Sequence, residues 1–199
     1  MPSPSVGAAQ RRRPSTAVHR LEFADPRVLA TATQSLLALY VALATADALS
    51  PAFFHTTARF TITPFLAVVV VFLCWFRRCR RNAEVQAPGR HRYSPNSAVG
   101  LWFVPVVMWW APRRIALDIW RASDAPGRPW AINAWWWAWL AKSVGVTAYV
   151  VIDLDGNANS PFFALVDVLA SALAVLMIQQ VTTAQRRKAA AAATAGGAV

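Results

Sequence analysis

Five apolar stretches separated by polar segments dominate the pattern of the chain. The first, residues 28–49, contains no basic side chain. At about 1.5 Å per residue it extends roughly 33 Å as a helix, enough to cross a hydrocarbon core of about 30 Å. The other apolar stretches are residues 57–76, 98–111, 130–152 and 162–180. The pattern predicts an all-α integral membrane protein whose spans are the first, second, fourth and fifth stretches.

The third stretch is too short for a comfortable span and carries Pro105 near its middle. The proline ring removes a backbone donor and breaks a helix. Ser94 and Pro95 resemble a helix start, with the hydroxyl as the cap and proline as the first helical residue. We predict a re-entrant or in-plane segment here, wrapped by the other four helices so that its free backbone groups are covered.

An amphipathic pattern follows in residues 113–123. Arg114, Asp118 and Arg121 fall on one helical face, and Ile115 and Ile119 lie on a neighbouring one. The pattern predicts an interfacial helix on the inner leaflet, so residues 95–123 form one re-entrant and interfacial unit. A helix of a soluble protein has the same pattern, but the apolar flanks argue against that alternative.

The charge distribution sets the expected orientation. Of the residues, 56% are hydrophobic and only 15% charged, with a net charge of +11, whereas soluble domains have roughly 25% charged residues. If the third stretch does not cross, 18 basic residues lie on one side and only Arg59 on the other; if it crosses, the split is 11 to 8. Because basic residues concentrate in cytoplasmic loops, we predict four spans with both termini cytoplasmic.

The two ends of the chain differ in composition from the apolar middle. Residues 1–20 predict a disordered basic arm, residues 21–188 a single membrane domain, and residues 189–199 a disordered Ala/Gly tail. The Ala44-Thr45-Ala46 sequence also resembles a signal-peptide cleavage site. Since the preceding basic region is long and contains Glu22 and Asp25, an uncleaved anchor is the favoured interpretation.

Two runs in the middle of the chain, residues 72–84 and 93–123, resemble a motif of a bacterial membrane family, domain of unknown function 4328. The family's pattern is a Trp-containing helix end with arginines and an Asn, then a Trp-Phe-x-Pro segment and an amphipathic helix. The matching positions are Trp75, Arg77, Arg80, Asn82, Ser94, Trp102, Phe103, Pro105, Pro112, Trp120, Arg121, Ala122 and Ser123. Phe76 and residues 109–111 depart from the pattern. The resemblance implies a multi-pass protein of the bacterial inner membrane and no assigned activity.

All ten tryptophans lie between Trp75 and Trp139, in the region that also holds most of the arginines. One interpretation is an aromatic belt combined with the charge bias of cytoplasmic loops. The other is a pocket for an anionic lipid headgroup, in which Trp faces support arginines by cation–π contact and the re-entrant segment forms the floor. The candidate contacts are Arg77, Arg80, Arg113, Arg114, Trp102 and Trp120.

Two charges fall inside predicted spans. Lys142 lies about 18 Å along its helix from Trp130, and Asp167 about 8 Å into the last span. Because an unpaired charge at such depth is costly, we predict an intramembrane ion pair between them. The pair is either a static structural contact or part of an ion or proton pathway. A dry helix interface would favour the first, and a polar cavity the second.

Motifs that would indicate an enzyme are lacking: the chain has no HExxH, no GxSxG and no phosphate-binding Gly loop. The Asp and Asn residues of 153–159 resemble the start of a calcium loop, but without its terminal Glu a polar turn is favoured. We therefore expect no catalytic, metal or cofactor site. The leading hypothesis is a noncatalytic membrane module that binds anionic lipid or a membrane protein partner on its cytoplasmic face. The alternative is a small transporter or channel that uses Lys142 and Asp167. No nucleic-acid partner is expected.

Overall fold

The computed structural model describes residues 22–49, 54–90, 92–152 and 161–196. Within these ranges the chain is helical and has no strand. The long helices are α1 (Arg27–Leu49), α2 (Phe54–Gln86), α5 (Trp130–Ile152) and α6 (Pro161–Gly196). The short helices α3 (Pro95–Gly100) and α4 (Ala111–Ala122) lie between α2 and α5, with a 3-10 turn at Val107–Trp109. The all-α prediction is confirmed.

Three described segments are long and apolar enough to cross a membrane: Arg27–Leu49, Ile62–Gln86 and Phe162–Gly196. They support the predicted membrane character of the protein. The bounds of α1 and α5 agree closely with the sequence, whereas α2 continues past the predicted end at residue 76 as far as Gln86. The arginines that follow Phe76 therefore extend from a helix and not from a loop.

The last helix also differs from the prediction. It runs to Gly196, so the predicted disorder of the Ala/Gly tail is wrong for residues 189–196. Alanine has the highest helix propensity, so an alanine run readily extends a helix that has already formed. Lys188 adds an anchor by donating a hydrogen bond to the Ala122 carbonyl at the end of α4. The predicted basic arm, the 153–159 loop and residues 197–199 lie outside the described residues.

The tightly packed core occupies one end of the bundle. There the second half of α2, the start of α5 and the middle of α6 meet under α4. Its largest fully buried apolar side chains are Trp75, Phe76, Ile115, Ile119, Ile132, Trp136, Met177, Ile178 and Val181. Most apolar side chains elsewhere on the long helices are partly or largely exposed, as expected for lipid-facing surfaces. Within the described residues, the fully buried large side chains are therefore concentrated at this packed end.

Helix α4 is amphipathic as predicted, but its apolar face contacts protein. Ile115 and Ile119 are fully buried in the core, whereas Arg114 and Arg121 are exposed on the opposite face. An apolar face that is already covered by α2, α5 and α6 is not available to insert among lipid chains. The helix therefore closes one end of the bundle, which corrects the expectation that its apolar face lies on the inner leaflet.

The segment between α3 and α4 consists of turns and the short 3-10 helix and is not a continuous helix. Ser94 caps α3 as predicted, accepting a hydrogen bond from the Ser97 backbone N–H at 3.1 Å. The expectation that the other helices wrap this segment is wrong, since Phe103 and Val106 are 67% and 64% exposed. Wrapping is unnecessary because turn and 3-10 hydrogen bonds within residues 97–110 satisfy much of its backbone. Val106 adopts φ +69°, a strained conformation for a β-branched residue, directly after Pro105.

Candidate functional site

The four arginines predicted to form a headgroup pocket have separate surroundings. Arg77 donates to the Asn96 side-chain oxygen at 3.0 Å, and Arg113 donates twice to Asn133, at 2.7 and 3.0 Å. Arg114 is exposed on α4. Each of the first two is therefore held by an amide on a different helix, so the set does not converge on one ligand position.

Arg80 is the most deeply buried of these arginines, at 2% exposure. Its guanidinium donates to the Glu84 carboxylate at 3.0 Å and to the Tyr93 carbonyl. These contacts connect α2 to the chain just before α3. A guanidinium enclosed in this way positions helix α3 and does not reach a membrane surface.

The two predicted tryptophan contacts are also part of the packed end. Trp102 lies among five other rings, with centroid distances of 5.6–6.2 Å to Phe72, Phe76, Trp135, Trp136 and Trp139. Its indole N–H has no acceptor among the described residues. Trp120, on α4 itself, is largely buried. Most of the aromatic surface that the sequence suggested for lipid contact is therefore used for internal packing.

A buried amide network, not anticipated as a network from the sequence, holds the same end together. The Asn82 side chain accepts from the Ala24 backbone N–H at 3.0 Å and donates to the Ala24 carbonyl at 2.8 Å. It also donates to the Gln185 side-chain oxygen at 3.1 Å, and Gln185 donates to the Cys79 carbonyl at 2.8 Å. The network joins the segment before α1 to α2 and α6. In the sequence, Asn82 was singled out only as a position of the family motif, and nothing there indicated that it joins a hydrogen-bond network.

A different pair of arginines lines a cavity of about 400 Å³ at the packed end. Arg128 precedes α5 and Arg187 lies on α6. Both side chains are exposed, and neither guanidinium has a hydrogen bond or ion pair with another residue in the described ranges. The rest of the wall combines aromatic and polar groups: Trp120, Pro126, Gly127, Trp130, Gln179, Gln180, Thr183 and Ala184.

We call this cavity the arginine pocket; its wall consists of Arg128, Arg187 and the eight residues named above. The sequence did not predict it. Arg128 and Arg187 are far apart in the chain, so only the packing of α6 against the start of α5 brings them together. The pocket has two unpaired positive charges and no acidic wall residue. Trp130, 54% exposed, lies beside it as an aromatic side chain of the kind found at membrane interfaces. Arginine binds phosphate through two parallel N–H donors, so this arrangement suits an anion.

The predicted partners Lys142 and Asp167 are brought together. The Lys142 ammonium forms an ion pair with the Asp167 carboxylate and lies 5.5 Å from the Tyr40 ring centroid, within cation–π range. The two side chains are 25% and 15% exposed. They border a cavity of about 460 Å³ between all four long helices, which Asp47 also lines. The pair is thus on the wall of a cavity with polar groups and not in a dry helix interface.

No group of three or more His, Cys, Asp or Glu side chains that could hold a metal ion occurs in the described part of the chain. In a comparison with known protein families, the family described as "Domain of unknown function (DUF4328)" matches residues 19–186. No curated protein and no solved structure matches.

Proposed function

We propose that this membrane protein, which belongs to the DUF4328 family, is a noncatalytic module that binds anionic lipid headgroups at its cytoplasmic face. The observation that carries the proposal is the arginine pocket, where two arginines without acidic partners share a wall with tryptophan and glutamine side chains. The partner class is the same as the one expected from the sequence, but the binding residues are different.

The orientation that the proposal requires depends on α5 as a fourth span. Its 23 residues extend about 35 Å, and its apolar surface is interrupted mainly by Lys142, which is paired. Four spans put both termini, the segment from Gln86 to Trp130 and the arginine pocket on one side. The 18 to 1 excess of basic residues supports that side as the cytoplasmic face of a bacterial inner membrane.

The headgroup assignment follows from the chemistry of the pocket walls. Arg128 and Arg187 supply charge and paired donors for a phosphate, while Gln179 and Gln180 supply amide groups for hydroxyls. Trp130, the first residue of α5, supports the assignment because tryptophan side chains are enriched at the boundary between membrane and water. A phospholipid with a net negative charge, such as phosphatidylglycerol, satisfies all three kinds of group.

Transport past Lys142 and Asp167 is a second candidate, and the polar cavity at that pair favours it. A transport path would have to continue toward the other end of the bundle. That end is filled by Trp75, Trp136 and Met177, which are all fully buried. A cavity closed by such packing at one end supports a binding pocket better than a continuous path.

The proposal predicts that replacement of both pocket arginines weakens binding of anionic lipid. We expect Arg128→Gln with Arg187→Gln to reduce retention of phosphatidylglycerol, relative to phosphatidylcholine, by about tenfold, since charge-assisted hydrogen bonds are worth about 1.5–3 kcal/mol each and partial exposure lowers that value. Native mass spectrometry of the purified protein with an equimolar mixture of the two lipids measures this retention.

The control is Arg77→Gln with Arg114→Gln, which removes the same charge from two exposed arginines outside the pocket. It should keep the wild-type preference for phosphatidylglycerol. Equal losses of phosphatidylglycerol retention in both double variants would mean that lipid binding depends only on the net charge of the protein. The pocket assignment would then be abandoned. An unchanged preference in the Arg128 and Arg187 double variant would have the same consequence.

A further inference from the structure

The cavity at Lys142 and Asp167 is distinct from the arginine pocket and has the opposite charge. Its wall carries one ammonium, Lys142, and two carboxylates, Asp47 and Asp167. Lys142 is neutralised by its ion pair with Asp167. The remaining charge on this wall is therefore the negative charge of Asp47.

Asp47 is an unusual residue in this position. It is only 5% exposed, and its Oδ1 atom is buried with no hydrogen-bond partner among the described residues. A buried carboxylate without a partner is costly, and residues of this kind in membrane spans commonly mark binding sites or pathways. Because Asp47 lines the cavity, a cationic donor that enters the cavity would supply the missing partner.

An apolar chamber adjoins this cavity. It has a volume of about 340 Å³ and shares Tyr40, Phe65, Lys142 and Ser143 with the polar cavity. From there it extends along α2 and α6 to the ring of Trp102, between side chains such as Val69, Phe72 and Ala174. The combined space is polar at the Asp47 end and apolar at the Trp102 end.

We propose that this combined space binds an amphipathic amine, with its ammonium group at Asp47 and its alkyl chain in the chamber that leads to Trp102. A single positive charge balances the one unpaired carboxylate, which an anionic or zwitterionic headgroup does not. A primary ammonium also donates the hydrogen bond that Asp47 Oδ1 lacks. The alkyl chain accounts for the apolar chamber, which a small hydrophilic cation would leave empty.

The proposal is tested with octylamine as the probe, on the full chain purified in a maltoside detergent. A ligand that binds only the folded protein raises the midpoint temperature of its thermal unfolding. We expect octylamine to raise the midpoint more than octanol does, because only the amine carries charge, and more than butylamine does, because only the longer chain fills the chamber. Asp47→Asn should weaken the apparent affinity for octylamine by about tenfold, as expected for the loss of one charged hydrogen-bond partner.

Asp118→Asn is the matched control, since it removes a carboxylate from the surface of α4, where Asp118 pairs with Arg121. It should leave the octylamine response unchanged. An Asp47→Asn protein that responds to octylamine as the wild type does would overturn the proposal. If that variant does not fold, the wild-type series decides: equal midpoint shifts with octylamine and octanol would overturn the ammonium site, and equal shifts with octylamine and butylamine would overturn the chamber.

Discussion

Replacing Trp136 by alanine is expected to cause the largest loss of stability among single changes, about 3–5 kcal/mol. Trp136 is 2% exposed at the packed end of the bundle and contacts the rings of Trp102, Trp135 and Trp139. Removal of the indole leaves a cavity that the surrounding rigid rings cannot fill. Size-exclusion chromatography after heating in detergent should show a much lower midpoint for loss of the monodisperse peak.

The neighbouring Trp137 provides a matched control on the same helix. It is 64% exposed and faces away from the core. Trp137→Ala removes the same side chain but creates no internal cavity, so its midpoint should remain within a few degrees of the wild-type value. Similar losses for the two variants would show that the packed end does not have the arrangement described above.

Replacing Lys142 by methionine should destabilise the protein by up to about 2.5–3.5 kcal/mol, the insertion cost of a charge at the bilayer centre, because the change leaves a charge uncompensated inside the bilayer. Lys142 is the ion-pair partner of Asp167, so the single change leaves a carboxylate without its cation. We expect reduced expression and aggregation of Lys142→Met. The double variant Lys142→Met with Asp167→Leu removes both charges and should recover most of the yield.

The comparison of the single with the double variant shows whether the ion pair of Lys142 and Asp167 contributes to the stability of the protein. Recovery in the double variant indicates that the cost arises from the unpaired charge. If Lys142→Met alone were expressed normally and remained monodisperse, a purely structural role for the pair would be contradicted. Both variants are measured by the yield of the monodisperse peak from equal amounts of membrane.

Much of the helical layout follows from the sequence because it depends on segment length and hydrophobicity. The ends of α1 and α5 agree with the prediction since each coincides with a change in composition. The extension of α2 to Gln86 was missed because the arginines after Phe76 resembled the end of a span. They continue as a helix because Arg80 and Asn82 find buried hydrogen-bond partners.

The candidate site was harder to predict for a related reason. A sequence shows which arginines exist but not which of them are occupied by internal partners. Arg77 and Arg113 are bound to asparagine side chains that are about 20 positions away in the chain. Arg128 and Arg187 form a pocket only because α6 packs against α5. By contrast, the proximity of Lys142 and Asp167 could be anticipated, since both are charges at similar depths in apolar helices.

The arrangement of the membrane sides underlies the whole account and can be measured directly. In a Cys74→Ala background, with the buried Cys79 retained, a single cysteine is introduced either at Arg90, after α2, or at Asn157, between α5 and α6. Intact bacterial cells are treated with a membrane-impermeant maleimide. We expect Asn157→Cys to be labelled in intact cells and Arg90→Cys only after permeabilisation. Labelling of Arg90→Cys in intact cells, with Asn157→Cys protected, would contradict a cytoplasmic arginine pocket.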